Sequence, residues 1–188
     1  LDIVLINSKD TQKTHKLLPV GNLRERISGL KRADLIIYTK TNLHNNLSYL
    51  NDLLKNVNIE KINSELEAKS MLIGKDKQSI EQADLKSKNI YLLSAVGDNK
   101  GFKKIVEKIG ANIVGHSKFI DHFKFKISDL QKTQEDAKKV GANYIITTEK
   151  DLVKIPDVNL EIPIYTLKTE IHFSPASKLQ DKINSLFI

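Results

Sequence analysis

An acid and a base stand side by side in Asp121-His122, within residues 119–125 (Phe-Ile-Asp-His-Phe-Lys-Phe). The pair directly follows a predicted strand, and open α/β sheets bind their ligands at the carboxyl ends of their strands. Histidine beside a carboxylate is suited to be a general base, a proton relay or the group that orients another catalytic residue. A structural role, in which Asp121 caps the next turn and His122 packs against Phe119, explains the two residues equally well.

A metal site at this pair would need further ligands at suitable spacing. His116 lies six residues before His122, near the start of the same predicted strand, and so long a strand holds the two imidazoles far apart. The chain has no cysteine, which excludes disulfides, thiolate metal ligands and a cysteine nucleophile. We therefore predict no metal ligands in this chain.

A second candidate is the segment 17–25 (Leu-Leu-Pro-Val-Gly-Asn-Leu-Arg-Glu). Its proline and glycine predict a tight turn, Asn22 is suited to cap a helix that begins at Leu23, and Arg24 falls in the first turn of that helix. Arginine there opposes the helix dipole, a cost that makes sense if Arg24 binds an anion at the helix N-terminus. A surface arginine paired with an acid elsewhere is an equally good interpretation.

Two further segments follow predicted strands. Residues 147–151 (Thr-Thr-Glu-Lys-Asp) begin a helix, and Thr148 with Asp151 three residues later resembles a capping box, so a structural role is favoured.

Residues 97–104 (Gly-Asp-Asn-Lys-Gly-Phe-Lys-Lys) have the wrong glycine spacing for a Walker A loop, and no hydroxyl residue follows the lysine. The dinucleotide fingerprint is absent as well, so we predict a strand-to-helix turn and no nucleotide-phosphate cradle.

Apolar runs alternate with segments of helical periodicity along most of the 188 residues. The predicted strands are residues 1–6, 34–40, 89–96, 112–119, 143–148 and 162–167, and the predicted helices begin at Leu23, Asn42, Phe102, Ser128 and Pro175. Strands separated by helices of this length predict an α/β fold with a mainly parallel sheet flanked by helices. The region 57–88 is the least regular and predicts a small β hairpin or a linker, with a turn at residues 74–77.

The net charge of +7 favours anionic partners such as phosphorylated lipids, nucleic acid or an acidic membrane surface. Lysine is nevertheless spread along the chain among acids, so compositional bias explains the charge better than a dedicated polyanion site. Aromatic residues make up 6% of the chain and tryptophan is absent, which disfavours base stacking, and we predict no nucleic-acid partner. No apolar stretch approaches the roughly 20 residues that cross a bilayer.

Five segments, taken in order, resemble the C-terminal half of the tetraacyldisaccharide 4'-kinase family, the lipid A 4'-kinases. They are residues 1–7 (Leu-Asp-Ile-Val-Leu-Ile-Asn), 17–25, 30–37 (Leu-Lys-Arg-Ala-Asp-Leu-Ile-Ile), 119–122 (Phe-Ile-Asp-His) and 147–151. Each segment is short, and their order and spacing make the resemblance specific. It covers nearly the whole chain and is weakest over residues 57–88.

The resemblance implies a P-loop-kinase-like lobe of an enzyme that transfers the γ-phosphoryl of magnesium-ATP to the 4'-hydroxyl of a tetraacylated disaccharide 1-phosphate. The resemblance also implies that this enzyme acts at the cytoplasmic face of the inner membrane of Gram-negative bacteria. His122 would correspond to the active-site histidine that partners a catalytic aspartate, and Arg24 to an arginine near the transferred phosphate. Asp121 joins these catalytic candidates, and the candidates for substrate binding are Glu25, Glu149, Lys150 and Asp151.

The resemblance also has departures. The family's Walker A loop, catalytic aspartate, Asp-Asp-Gly-Phe-Gln-His motif and membrane-anchoring helix all precede the point where this chain starts. Phe123 stands where the family usually has a second histidine, and residues 98–100 stand where it tends to have proline. We therefore expect a C-terminal portion that is inactive without the N-terminal half, that binds neither ATP nor Mg²⁺ alone, and that is peripheral to the membrane.

The expected organisation has three parts. Residues 1–56 would continue the N-terminal kinase core, residues 57–88 would form the hairpin or linker, and residues 89–188 would form a C-terminal α/β subdomain. The alternative function is a non-catalytic α/β module that binds a phosphorylated ligand or an anionic membrane lipid.

Overall fold

The computed structural model describes residues 1–74 and 78–187. The strands in this part of the chain are β1 Ile3–Asn7, β2 Leu35–Thr39, β3 Lys61–Gly74, β4 Ser79–Glu81, β5 Asn89–Ser94, β6 Asn112–Lys118, β7 Tyr144–Thr148 and β8 Ile164–Ser174. The α-helices are α1 Leu47–Leu53, α2 Asn99–Lys108, α3 Ile127–Lys139, α4 Glu149–Leu152 and α5 Ala176–Asn184. Two 3₁₀ helices, Ile27–Arg32 and Gln82–Leu85, complete the regular elements of these residues.

Strand pairing is mostly parallel. β2 pairs in parallel with β1 and β3, β5 pairs in parallel with β6 and β7, and β7 pairs in parallel with β8. The β3–β4 pair is antiparallel. The prediction of a mainly parallel sheet flanked by helices is therefore confirmed.

The chain folds as two compact units, one of residues Leu1–Glu67 with Ile171–Ile188 and one of Ala68–Glu170. In the first unit β2 lies between β1 and the start of β3, and Leu35 to Tyr38 are all buried because both faces of β2 are covered. Leu50, Leu54 and Val57 pack on the face of Ile36 and Tyr38. Ile62, Phe173 and Leu179 pack on the other face.

The first strand is less buried than its apolar sequence predicts. Among the described residues β1 pairs with β2, and its Leu5 side chain is 65% exposed. An apolar run predicts a strand but does not tell which of its faces is covered. The prediction of a strand at residues 1–6 is confirmed, and the exposure of Leu5 shows that one face of this strand is open.

The second unit places three strand ends at one edge. Its strand order is β8-β7-β5-β6, and α3 packs on one face through Leu130 and Ala137. Because β5, β6 and β7 are mutually parallel, the segments that follow them leave from the same edge of the sheet. Those segments contain Asp121, His122 and residues 149–151.

The middle region contains the predicted hairpin. β3 and β4 pair antiparallel in the register Met71–Glu81, Leu72–Ile80 and Ile73–Ser79. Residues 75–77 of the predicted turn lie outside the described residues. The boundaries between the two compact units fall within the residue ranges of β3 and β8. The three-part division at residues 56 and 88 stays a prediction.

The helix predicted from Leu23 is wrong at its start. The 3₁₀ helix begins at Ile27, so Asn22 does not cap it and Arg24 precedes it. The reason is that the backbone of Leu23 is used elsewhere: its N–H donates to the Lys16 carbonyl at 3.0 Å, and its own carbonyl accepts from Leu18 at 2.9 Å. Sequence periodicity does not reveal this competing pairing.

Two other predicted helix starts are also displaced. The side chain of Asn42 exchanges two hydrogen bonds with the backbone of Leu66, and α1 begins only at Leu47. α3 begins at Ile127, one residue before Ser128, and its N-cap is Lys126. In both cases the helix is present as predicted and its first residue differs.

Candidate active site

The Asp121-His122 turn is anchored by three phenylalanines. The ring centroids of Phe119 and Phe123 lie 4.6 Å apart, and Phe125 packs edge-on against both at 5.2 and 5.5 Å. Phe119 and Phe123 border the core of the second unit, and Phe125 is buried in it. The aromatic cluster fixes both ends of the turn, which leaves Asp121 and His122 at its tip.

His122 has an exposed side chain on a constrained backbone. Its φ of 63° lies in the left-handed region, which is uncommon for any residue except glycine. The Asp121 carboxylate holds it there, because Asp121 Oδ1 accepts a 2.9 Å hydrogen bond from the His122 N–H. The imidazole is 78% exposed, with Nε2 3.9 Å from Asp121 Oδ2. Packing of His122 against Phe119 is therefore not the arrangement of this turn.

Lys150 bonds to the same carboxylate from a different element. Its Nζ donates to Asp121 Oδ1 at 2.8 Å. The hydrogen bond from Lys150, assisted by the His122 N–H, holds the pKa of the Asp121 carboxyl below its usual value. Asp121 therefore remains ionised at neutral pH, and an acid, a base and an ammonium group meet at the carboxyl edge of the sheet.

The next residue, Asp151, is fully buried. Asp151 Oδ2 accepts hydrogen bonds from the Ala95 N–H at 2.8 Å and from the Thr148 hydroxyl at 2.9 Å, and Oδ1 pairs with Lys154 at 2.9 Å. The predicted N-cap role of Thr148 is confirmed, since Thr148 Oγ1 accepts from the Asp151 N–H at 3.2 Å. These contacts favour a structural role for Asp151. The side chain of Glu149, in contrast, is exposed to solvent.

Sequence reasoning missed a buried polar group near this edge. Ser94 Oγ donates to Asn99 Oδ1 at 2.5 Å and lies 2.7 Å from His116 Nε2. The Ser94 hydroxyl has one proton and donates it to Asn99, so His116 Nε2 carries the proton that it shares with Ser94. Burial, assisted by nearby Lys118 and Lys103, lowers the pKa of His116 to about 4. No sequence spacing indicates this contact, because it depends on the pairing of β5 with β6.

The start of α2 does not fit a nucleotide phosphate. Asp98 is its N-cap, and the Asp98 carboxylate accepts a 3.1 Å hydrogen bond from the Gly101 N–H. A Cβ at Gly101 would overlap that carboxylate, which explains the glycine. The helix N-terminus, where an anion would bind, is thus taken by the chain's own negative charge. The strand-to-helix turn predicted for residues 97–104 is confirmed.

The structure also offers no metal cluster in the part of the chain that it describes. No group of three or more histidine, aspartate or glutamate side chains is arranged to hold an ion there. Within the same residues, no helix has the length and apolar character needed to cross a membrane.

Arg24 lies in the first unit, on a compact loop. Leu17 forms a β-bridge with Leu23, and a Cβ at Gly21 would overlap the backbone of Lys16, so only glycine fits there. Arg24 lines a cavity of about 250 Å³. Other residues lining it are Val4, Leu5, Ile6, Asp10, His15, Glu25 and Arg26.

The two predicted residues of this loop differ in their partners. Glu25 forms a 2.8 Å ion pair with Arg32. Arg24 has no acidic partner among residues 1–74 and 78–187. Pairing with an acid, the alternative explanation of this arginine, is therefore not seen within the described residues, and anion binding by Arg24 stays a prediction.

The structure thus joins Lys150, Asp121 and His122 into one cluster in the second unit, with Asp151 buried beside it. Arg24 and Glu25 belong to the first unit. The catalytic and substrate-binding roles of these residues stay predictions.

The fold defines the class of protein first. The chain superposes on the crystal structure of the "apo" form of LpxK from Aquifex aeolicus in complex with ATP, with a TM-score of 0.65 and 23% sequence identity. The superposition covers 100% of this chain and 53% of that chain. The chain is an α/β protein, a P-loop-kinase-like lobe with a mainly parallel sheet flanked by helices.

The sequence then identifies the family. The family model described as tetraacyldisaccharide-1-P 4'-kinase matches residues 1–187. The tetraacyldisaccharide 4'-kinase of Bdellovibrio bacteriovorus is 30% identical over 158 residues, 82% of this chain and 46% of that protein. The enzyme of Elusimicrobium minutum is 31% identical over 160 residues, 83% of this chain and 42% of that protein. The chain belongs to the tetraacyldisaccharide-1-P 4'-kinase family, as its motifs predict, and it spans about half the length of these curated relatives.

Proposed function

We propose that this chain is the C-terminal portion of a kinase that transfers the γ-phosphoryl of ATP to the 4'-hydroxyl of tetraacyldisaccharide 1-phosphate in lipid A biosynthesis. The observation that carries the proposal is the exposed His122 imidazole beside an ionised Asp121, in a chain of this family. That pair lies where α/β proteins bind their ligands, at the carboxyl edge of the sheet.

The three catalytic candidates have separate roles in this proposal. His122 orients or tunes the base that takes the proton from the attacking hydroxyl, and Asp121 fixes the backbone from which the imidazole projects. Arg24 stabilises negative charge on the transferred phosphoryl group, for which its lack of an acidic partner within the described residues suits it.

The nucleotide is proposed to bind to another segment of the enzyme. The N-terminus of α2 is occupied by Asp98, and within the described residues no carboxylate cluster is available for Mg²⁺. We propose that an N-terminal half supplies the phosphate-binding loop, and that this chain alone neither binds ATP and Mg²⁺ tightly nor turns over. The relatives, about twice as long as the matched region, support this division.

The proposed location is the cytoplasmic side of the bacterial inner membrane, where the chain is peripheral and meets its lipid disaccharide substrate. The net charge of +7 supports it, because anionic lipid surfaces attract basic proteins. Sedimentation with anionic lipid vesicles at low and high salt tests the location, and equal binding to neutral vesicles would contradict it.

A transfer assay tests the activity. The chain is incubated with ATP, Mg²⁺ and tetraacyldisaccharide 1-phosphate, with and without the N-terminal half of a family member added. We expect phosphorylated lipid only when both halves are present. Robust transfer by the chain alone would overturn the proposed division, and no transfer by a well-folded pair of halves would overturn the kinase.

A second candidate function is a non-catalytic module that binds a phosphorylated ligand. Arg24, without an acidic partner among the described residues and facing a cavity of about 250 Å³, favours it. Calorimetry with the disaccharide 1-phosphate distinguishes the two functions. Tight binding by the chain alone, without transfer in the two-half assay, would favour the module.

A further inference from the structure

We infer that Lys150 is a positioning residue, which acts by holding the Asp121 carboxylate and, through it, the backbone of His122. The inference rests on the proposed function for its catalytic consequence, while its structural part concerns this chain directly. It differs from the role predicted from the family motif, in which Lys150 contacts the substrate.

The geometry of Asp121 Oδ1 is the first argument. This one oxygen accepts both the Lys150 ammonium at 2.8 Å and the His122 N–H at 2.9 Å. The second bond keeps His122 in a left-handed backbone conformation. Because a carboxylate turns about its Cβ–Cγ bond, the charged bond from Lys150 determines whether Oδ1 stays aimed at the His122 N–H.

The anchoring of Lys150 is the second argument. Lys150 lies in the short helix α4, whose N-cap Thr148 and buried Asp151 tie that helix to the Ala95 N–H at the end of β5. The ammonium therefore projects from a fixed base. An unbroken set of contacts leads from β5 through α4 to the exposed imidazole.

The electrostatics agree with the geometry. The Lys150 hydrogen bond is the largest cause of the lowered pKa of Asp121, and the His122 N–H adds to it.

Three variants test the inference: Lys150→Met, Lys150→Arg and the control Lys178→Met. Lys150 and Lys178 are matched, since each makes a 2.8 Å ion pair and their side chains are 45% and 44% exposed. Lys178 pairs with Glu60 and belongs to the first unit. Circular dichroism and the melting temperature establish that each variant folds, as expected for surface ion pairs.

The first readout needs no activity. Carboxyl-carbon NMR of Asp121 across a pH titration measures its pKa in the chain itself. We expect the pKa to rise in Lys150→Met, to stay low in Lys150→Arg and to be unchanged in Lys178→Met. An unchanged Asp121 titration in Lys150→Met would overturn the inference.

The second readout uses the chain together with the N-terminal half. We expect Lys150→Met to lower kcat by about tenfold with little change in KM for the disaccharide, because a displaced catalytic group costs rate more than binding. Lys150→Arg should restore most of the rate. A raised KM at unchanged kcat would instead show direct contact with the substrate and overturn the inference. If the wild-type halves transfer no phosphate, the proposed function fails while the NMR titration still decides whether Lys150 holds Asp121.

Discussion

Asp151 Oδ2 accepts a 2.8 Å hydrogen bond from the backbone N–H of Ala95, 56 residues earlier in the chain. The carboxylate is fully buried, and its other partners are the Thr148 hydroxyl and the Lys154 ammonium. One side chain thus joins the end of β5 to the start of α4. The two elements that frame the Asp121-His122 turn are held together by this contact.

We expect Asp151→Ala to lower the free energy of unfolding by about 3 kcal/mol, since it leaves a buried N–H and a nearby ammonium without their acceptor. Urea unfolding measures the change. The control is Asp136→Ala, which removes a partly exposed carboxylate paired with Lys139 at 3.3 Å and should cost less than about 1 kcal/mol. Equal losses in the two variants would show that the Ala95 contact contributes little.

We expect His122→Ala to lower kcat of the assembled kinase by roughly 10²-fold or more, the scale of acid–base groups. The matched control is His172→Ala, because His172 also stands beside an acid, with Nε2 3.8 Å from Glu67 Oε2 and a half-exposed side chain. Transfer of radiolabelled phosphate to the disaccharide measures both variants. A wild-type rate in His122→Ala would reduce the Asp121-His122 pair to a structural role.

Arg24→Met should lower kcat by roughly 10²-fold or more, because the variant lacks the positive charge that would stabilise the negative charge on the transferred phosphoryl group. Arg24→Lys should recover part of the rate, since it keeps the charge without the forked geometry. Lys31→Met, which removes a cation from the 3₁₀ helix Ile27–Arg32, is the control and should leave the rate unchanged. The idea fails if Arg24→Met and Lys31→Met have the same rate.

His116 should make stability depend on pH. Its pKa is about 4 in the folded chain against an ordinary value of 6.5. Between these two pH values the unfolded chain binds a proton that the folded chain does not bind. This contribution to stability is complete above pH 6.5, falls as the pH drops from 6.5 to about 4, and is then constant. Urea unfolding at several pH values, compared with His116→Gln, isolates the effect.

The wild-type chain should therefore lose more stability than His116→Gln between pH 7 and pH 5. Nitrogen-15 NMR should also show a neutral imidazole with its proton on Nε2 across that range, because Ser94 accepts that proton. Parallel stability curves for the two proteins, or an imidazolium at pH 5, would contradict the assignment.

Local patterns in the sequence were enough for the strands, the hairpin and the cap at Thr148. Apolar runs produce strands because their side chains must be buried, and a cap involves residues three positions apart. The helix predicted from Leu23 failed because its backbone pairs with residues 16 and 18, a choice between two hydrogen-bonding partners that periodicity does not decide.

The amino-acid sequence by itself determined the kind of fold, the family and which residues stand at the carboxyl edge of the sheet. Only the tertiary structure decided their contacts: Lys150 with Asp121 across 29 positions, and Ser94 with His116 across 22. The physical reason is that such pairs depend on strand register and on how helices dock, which are set by the packing of the whole unit rather than by neighbouring residues.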